Sequence, residues 1–144
     1  MKTLNDIVEV FELLGDWEQR YQYLVELAEK LPAMPDKYKT EDNRVKGCMS
    51  QVWVYAYSDT QDSGKLHYYG ESDTSIIKGV LALLIELADS RTAENIINLD
   101  VDEFFVRLKL DENLSPNRHV GIYAIVDLMK QQAKKVQQRN IKVA

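Results

Sequence analysis

The sequence predicts an α+β fold in which a short antiparallel sheet of about three strands packs against a layer of helices. Three observations lead there. Apolar residues recur at helical spacing near both ends of the chain, at Leu4, Ile7, Phe11 and Leu14 and again at Ile122, Ile125, Val126, Met129, Ala133 and Val136. Between those ends Val52, Val54 and Ala56 alternate with Trp53, Tyr55 and Tyr57 as in a strand, and residues 66–69 return as a second strand after a polar turn at 59–64. A further stretch, Ile76, Ile77, Val80, Leu81, Leu83, Leu84, Ile85 and Leu87, is apolar around most of a helix circumference, which marks a central element.

Taken in order, Thr3 with Asp6 is a capping-type helix start, and Gly15 offers the stop. Asp16 with Gln19 opens a second helix whose stripe of Trp17, Tyr21, Leu24, Ala28 and Leu31 is closed by Pro32, so the two helices are expected to pack as a hairpin. Pro32 and Pro35 make residues 31–42 an extended connection. A short third strand is expected around residues 44–46, and Ser72 or Asp73 is expected to cap the central helix. Thr92 and Asp102 read as the starts of two shorter helices that carry Ile96, Ile97, Phe104 and Phe105 inward, and Ser115-Pro116 starts the last one.

The 144 residues, 45% of them hydrophobic, suit one domain spanning 1–144. A net charge of -5, with no run of five lysines and arginines, argues against a nucleic-acid partner. Asp6 and Glu9 interrupt the place where a signal peptide needs an apolar stretch, and the apolar run 80–85 between Lys78 and Glu86 is far too short to cross a membrane. With a single cysteine, a reducing cytoplasm is the expected location. No glycine-rich phosphate loop, Gly-x-Ser-x-Gly elbow or His-Glu-x-x-His pattern is present, and no cofactor or metal is expected.

The one thiol, Cys48, lies in Gly47-Cys48-Met49-Ser50-Gln51-Val52-Trp53, directly before the first strand. One thiol can make neither an internal disulfide nor a cysteine cage for a metal, which leaves a nucleophile, a redox sensor or a bystander. Gly47 permits a tight turn, Ser50 is a loop residue, and the nearby cations Arg44 and Lys46 favour a thiolate. Arg118 falls in the first turn of the last helix, where a cation opposes the helix dipole; either a carboxylate pairs with it or it holds an anion. His119 is a candidate base or ligand, although a metal site would have to gather Cys48, His67 or His119, and carboxylates from distant segments.

These segments together resemble the SufE family of sulfur-acceptor proteins, including its close relative CsdE, over nearly the whole chain. Residues 47–53 resemble the family's persulfide loop, Gly70-Glu71-Ser72-Asp73 through Ile76-Ile77-Lys78-Gly79 its Gly-x-Ser-Asp helix start, and Leu114-Ser115-Pro116-Asn117-Arg118 its late helix start. Trp17-Glu18-Gln19-Arg20-Tyr21 followed by Leu31-Pro32 also fits, and Ser50 and Gln51 are nearer SufE than CsdE. The resemblance implies a SufE/IscU-like fold with the cysteine at a loop tip. It implies Cys48 as the acceptor, supported by Gly47, Ser50, Gln51, Trp53, Asp73 and Arg118.

The implied partner is a pyridoxal-phosphate-dependent cysteine desulfurase of the SufS/CsdA kind, whose persulfide sulfur passes to Cys48 and whose turnover the carrier stimulates. The sulfur then goes to a SufBCD-like iron–sulfur scaffold complex or, in a CsdE-like carrier, to another acceptor. Such a protein is a sulfurtransferase-type partner rather than an independent enzyme, and family members are often homodimers. The rival expectations are a regulator that binds the desulfurase without holding sulfur and a cluster scaffold, which one cysteine disfavours. His119-Val120 departs from the small polar pair usual before the family's glycine, here Gly121. A sulfur carrier should shelter its thiol in an apolar pocket, and residues 31–50 are the expected mobile element.

Overall fold

The computed structural model describes residues 2–58 and 64–143, the last four of these as backbone only. In chain order the elements are α1 (Leu4–Leu14), α2 (Trp17–Lys30), β1 (Val52–Ser58), β2 (Lys65–Ser72), α3 (Ser75–Ala88), β3 (Arg91–Thr92), α4 (Ala93–Ile97), α5 (Val101–Arg107), α6 (Leu110–Asn113) and α7 (Pro116–Val143). The sheet has the order β1-β2-β3 and is antiparallel throughout, with Val54 opposite Gly70 and Tyr57 opposite His67. The expected α+β architecture is therefore what the chain adopts. Most of the expected turn at 59–64 lies outside the described residues.

The helix starts show how local chemistry sets the frame. Thr3 and Asp6 form a reciprocal capping box, in which the Thr3 hydroxyl accepts the Asp6 N–H and the Asp6 carboxylate accepts the Thr3 N–H. Those hydrogen bonds, the backbone one foremost, hold the Asp6 carboxyl below its ordinary range. Asp16 caps α2 by accepting the Gln19 N–H. Phe11 meets Trp17 and Tyr23 edge to face, which joins α1 to α2, but the main partner of α2 is α3 rather than α1. A hairpin of the first two helices is thus only part of the arrangement.

Helix α3 lies between α2 and the sheet and also touches α7. Ile77, Val80, Leu81, Leu83, Leu84 and Leu87 are all buried, each stabilising the fold by roughly 1.5–3 kcal/mol relative to an exposed side chain. Its approach to α2 depends on Gly79, where a Cβ would collide with the Leu24 carbonyl oxygen. On α7 the whole stripe of Ile122, Ile125, Val126, Met129, Ala133 and Val136 is buried. The phenol of Tyr68 reaches the same helix, donating to the Met129 carbonyl at 2.7 Å, and burial pushes its pKa up.

Several expectations need correction. The third strand is β3, not residues 44–46, where only an isolated bridge pairs Arg44 with Trp53. Two residues are too few for alternation to show. Asp100 rather than Asp102 caps α5, and α6 follows Lys109, whose left-handed backbone (φ 57°) starts a turn the spacing did not reveal. Neither Ser72 nor Asp73 is the N-cap of α3; that position is Thr74, with no side-chain capping bond.

The connection after α2 is also better anchored than an extended loop. Met34 is buried, two 3₁₀ turns occupy Asp36–Tyr38 and Glu41–Asn43, and the Tyr38 ring stacks on Tyr55 of β1 at 4.0 Å. Gln132 of α7 covers the open edge of β1: its Oε1 accepts the Ala56 N–H at 3.0 Å and its Nε2 donates to Val54 O at 2.8 Å. The segment left with few ties is 46–51.

Candidate functional site: a cysteine loop seated on the last helix

Residues 46–51 leave and rejoin the frame through two buried valines, Val45 and Val52, 1% and 0% exposed. The Val45 N–H donates to the Val52 carbonyl at 2.8 Å and closes the neck of the loop. Gly47 turns the chain with φ 87°, a left-handed conformation that a β-carbon disfavours. Cys48 follows, half-buried and packed against the apolar core. Met49 beside it is 84% exposed.

The far side of the loop is tied to the start of α3. Asp73 Oδ1 accepts the Gln51 N–H at 3.1 Å, and the Asp73 N–H donates back to the Gln51 carbonyl at 3.2 Å. Ser50 Oγ and Thr74 Oγ1 are 2.6 Å apart, a hydroxyl pair, and Thr74 Oγ1 also donates to Asp73 Oδ1. The missing cap of α3 is explained here: Asp73 and Thr74, the residue types suited to capping, spend their side chains on the cysteine loop instead. Thr74 carries no functional expectation from sequence alone, because its partner Ser50 is remote along the chain.

Cys48 Sγ sits over Gly121 of α7, so close that a Cβ at that position would lie 2.7 Å from the sulfur. The cover observed for the sulfur is direct packing on a helix. Helical periodicity around Gly121 gives no hint of this contact.

Of the other expected site residues, Gly47, Ser50, Gln51 and Asp73 are gathered with Cys48 around the loop. Trp53 stands on the outer face of β1, opposite the buried Val52 and Val54, and meets the loop region through its backbone bridge to Arg44. Arg118 is half-buried, three residues before Gly121 and so on the same flank of α7. Among the described residues no carboxylate pairs with it.

The upstream cations are both engaged by Glu41. Lys46 Nζ lies 2.9 Å from Glu41 Oε2 and Arg44 Nε 3.1 Å from Glu41 Oε1. These partners, Lys46 first, hold the Glu41 carboxyl below its ordinary range. His119 points elsewhere too: its ring packs 5.4 Å from Phe105, and Nε2 lies 3.2 Å from the Leu110 carbonyl. A carbonyl only accepts, so that nitrogen is assigned the proton, and the side chain serves the packing of α7 on α5 and α6. Among the described residues no three His, Cys, Asp or Glu side chains converge to hold a metal ion, and no helix is long and apolar enough to cross a membrane.

A three-stranded antiparallel sheet under helices, with one thiol on a tied loop seated on the last helix, defines a thiol-bearing α+β protein without a built metal centre among its described residues. The chain belongs to the SufE family: the family's profile, an Fe-S metabolism associated domain, matches residues 5–133. It is 36% identical over 135 residues to an uncharacterized SufE-like protein of Rhizobium meliloti (strain 1021), covering 92% of this chain and 96% of that one. A SufE-like protein of Rhizobium etli is 35% identical over 135 residues, covering 93% and 91%. The solution structure of a hypothetical protein from Thermus thermophilus superposes with a TM-score of 0.77 at 26% identity, covering 94% of this chain and 96% of that one.

Proposed function

We propose that this protein is a sulfur carrier of iron–sulfur metabolism, with Cys48 as the acceptor. The observation that carries the reading is the placement of the chain's one thiol, half-buried on a loop whose ends are tied to the frame. In the proposed step the Cys48 thiolate attacks the outer, sulfane sulfur of a persulfide on a pyridoxal-phosphate-dependent cysteine desulfurase. A new S–S bond forms at Cys48, the donor's S–S bond breaks, and its electron pair leaves on the desulfurase thiolate. The proton on the sulfane sulfur travels with it, so no oxidant or reductant is consumed.

The supporting residues divide the work. Gly47 shapes the turn, while Asp73 and Thr74, through Gln51 and Ser50, hold the loop at the start of α3. Arg118, a cation with no ion pair among the described residues and one turn along α7 from the sulfur's seat, would favour the thiolate or persulfide anion. Exposed Met49 and Val120, the residues following Cys48 and preceding Gly121, offer apolar surface for a docking partner to cover. Trp53 would brace the loop from β1. The same reading places the protein in a reducing cytoplasm, as a homodimer, delivering sulfur to a SufBCD-like scaffold complex.

The test is desulfurase turnover with the Cys48→Ser variant. The carrier reading predicts that stimulation is lost while the variant still binds the desulfurase. Full stimulation by Cys48→Ser would replace the carrier with a regulator that never holds sulfur.

A further inference from the structure

We propose that Gly121 is a positioning residue for Cys48, a side-chain-free seat on α7 in which the thiol sulfur rests. This rests on the reading of Cys48 as the acceptor and adds to it the residue on which the seated position of the sulfur depends.

The geometry isolates the sulfur as the reason for glycine. A Cβ on residue 121 would lie 2.7 Å from Cys48 Sγ but 3.6 Å from its Cβ and 3.9 Å from its Cα. The last two are ordinary contacts; the first is about 1 Å inside one. The backbone supplies no competing reason, since the glycines with positive φ are Gly15, Gly47 and Gly64, and Gly121 has ordinary helical geometry. Within a helix, glycine is less favourable than alanine by roughly 0.5–1 kcal/mol. The helix thus carries a residue that weakens it at the one place where the thiol of a remote loop comes down on it.

A seated thiol has one side covered by α7, and attack on any electrophile requires it to leave. Its apparent reactivity is reduced by the fraction of time it spends outside the seat. The loop is suited to such a movement, being fastened at Val45–Val52 and at Gln51–Asp73, with Cys48 between the fastenings. Restraint at Gly121 therefore slows the reaction of the thiol with any reagent that meets it from solution.

Gly121→Ala tests the seat, with iodoacetamide as the probe. The added methyl evicts the sulfur, so alkylation of Cys48 at fixed pH should become about tenfold faster in a variant that retains cooperative unfolding. A double-mutant cycle with Cys48→Ala supplies the second reading. With the sulfur removed, residue 121 gains room for a Cβ, and Gly121→Ala should raise the urea midpoint; with Cys48 present that gain should be absent.

Failure of Gly121→Ala to fold, rescued by Cys48→Ala, would support the seat by the same logic. Alkylation within about twofold of the parent overturns it. So does an identical midpoint shift in both backgrounds, or misfolding in both. The two proposals fail separately: a parent protein that never gains sulfur from a desulfurase defeats the carrier reading, whereas normal sulfur loading with unchanged alkylation defeats the seat alone.

Discussion

The frame and the cysteine loop are built by opposite rules. In the frame, α3 is buried on most sides, the edge of β1 is covered by Gln132, and every described buried side-chain nitrogen or oxygen has a partner. In the loop, Met49 is almost fully exposed and the fastenings are concentrated at the two ends. Local opening free energy follows buried contacts and protected hydrogen bonds, so the loop is where the molecule can rearrange at little cost. A well-packed fold and a responsive thiol need not compete: the frame holds the ends of the loop, and a single helix surface holds the sulfur.

The largest expected effect strikes the frame. Gly79→Ala drives a methyl group into the backbone of α2 at Leu24 and should destabilise the protein by about 3 kcal/mol or more, read from the urea midpoint. A loss below about 1 kcal/mol would mean that α2 and α3 can separate easily, and the contrast between frame and loop would weaken.

A smaller effect is expected at the loop's fastening. Asp73→Ala removes the acceptor of the Gln51 N–H and should cost about 1 kcal/mol. Its signature is local: amide exchange at Gln51 should speed up, while amides within α3 and α7 keep their protection. Equal acceleration throughout would show that loop and frame open together.

The smallest effect is electrostatic, on the exposed pairs of Glu41 with Lys46 and Arg44. Because its folded pKa is depressed, the Glu41 carboxylate contributes stability above its ordinary pKa, and that contribution disappears as pH falls through the lowered folded value. Glu41→Gln should therefore lower the urea midpoint slightly at neutral pH and leave it unchanged in strong acid, with high salt shrinking the neutral-pH difference. A difference that persists in acid would assign the effect to packing.

Regular periodicity made much of the fold legible. The six-residue stripe of α7, the alternation of Val52, Val54 and Ala56, and the capping pair Thr3–Asp6 all rest on neighbours within one element. What stayed hidden depends on partners far along the chain. The pairing of β3 with β2 spans only two residues, and Asp73 looks like a cap until Gln51 is seen to claim it. Lys46 and Arg44 are near Cys48 in sequence, yet Glu41 holds both. Gly121 is the clearest instance, a helix glycine whose contact with Cys48 appears only when the fold brings the two together.

The most direct measurement is the intact mass of the protein after incubation with a cysteine desulfurase and free cysteine under anaerobic conditions. The account predicts a gain of one sulfur atom, removed by reductant, mapped to Cys48 and missing from Cys48→Ser. Stimulated desulfurase turnover with no sulfur ever found on Cys48 would contradict it.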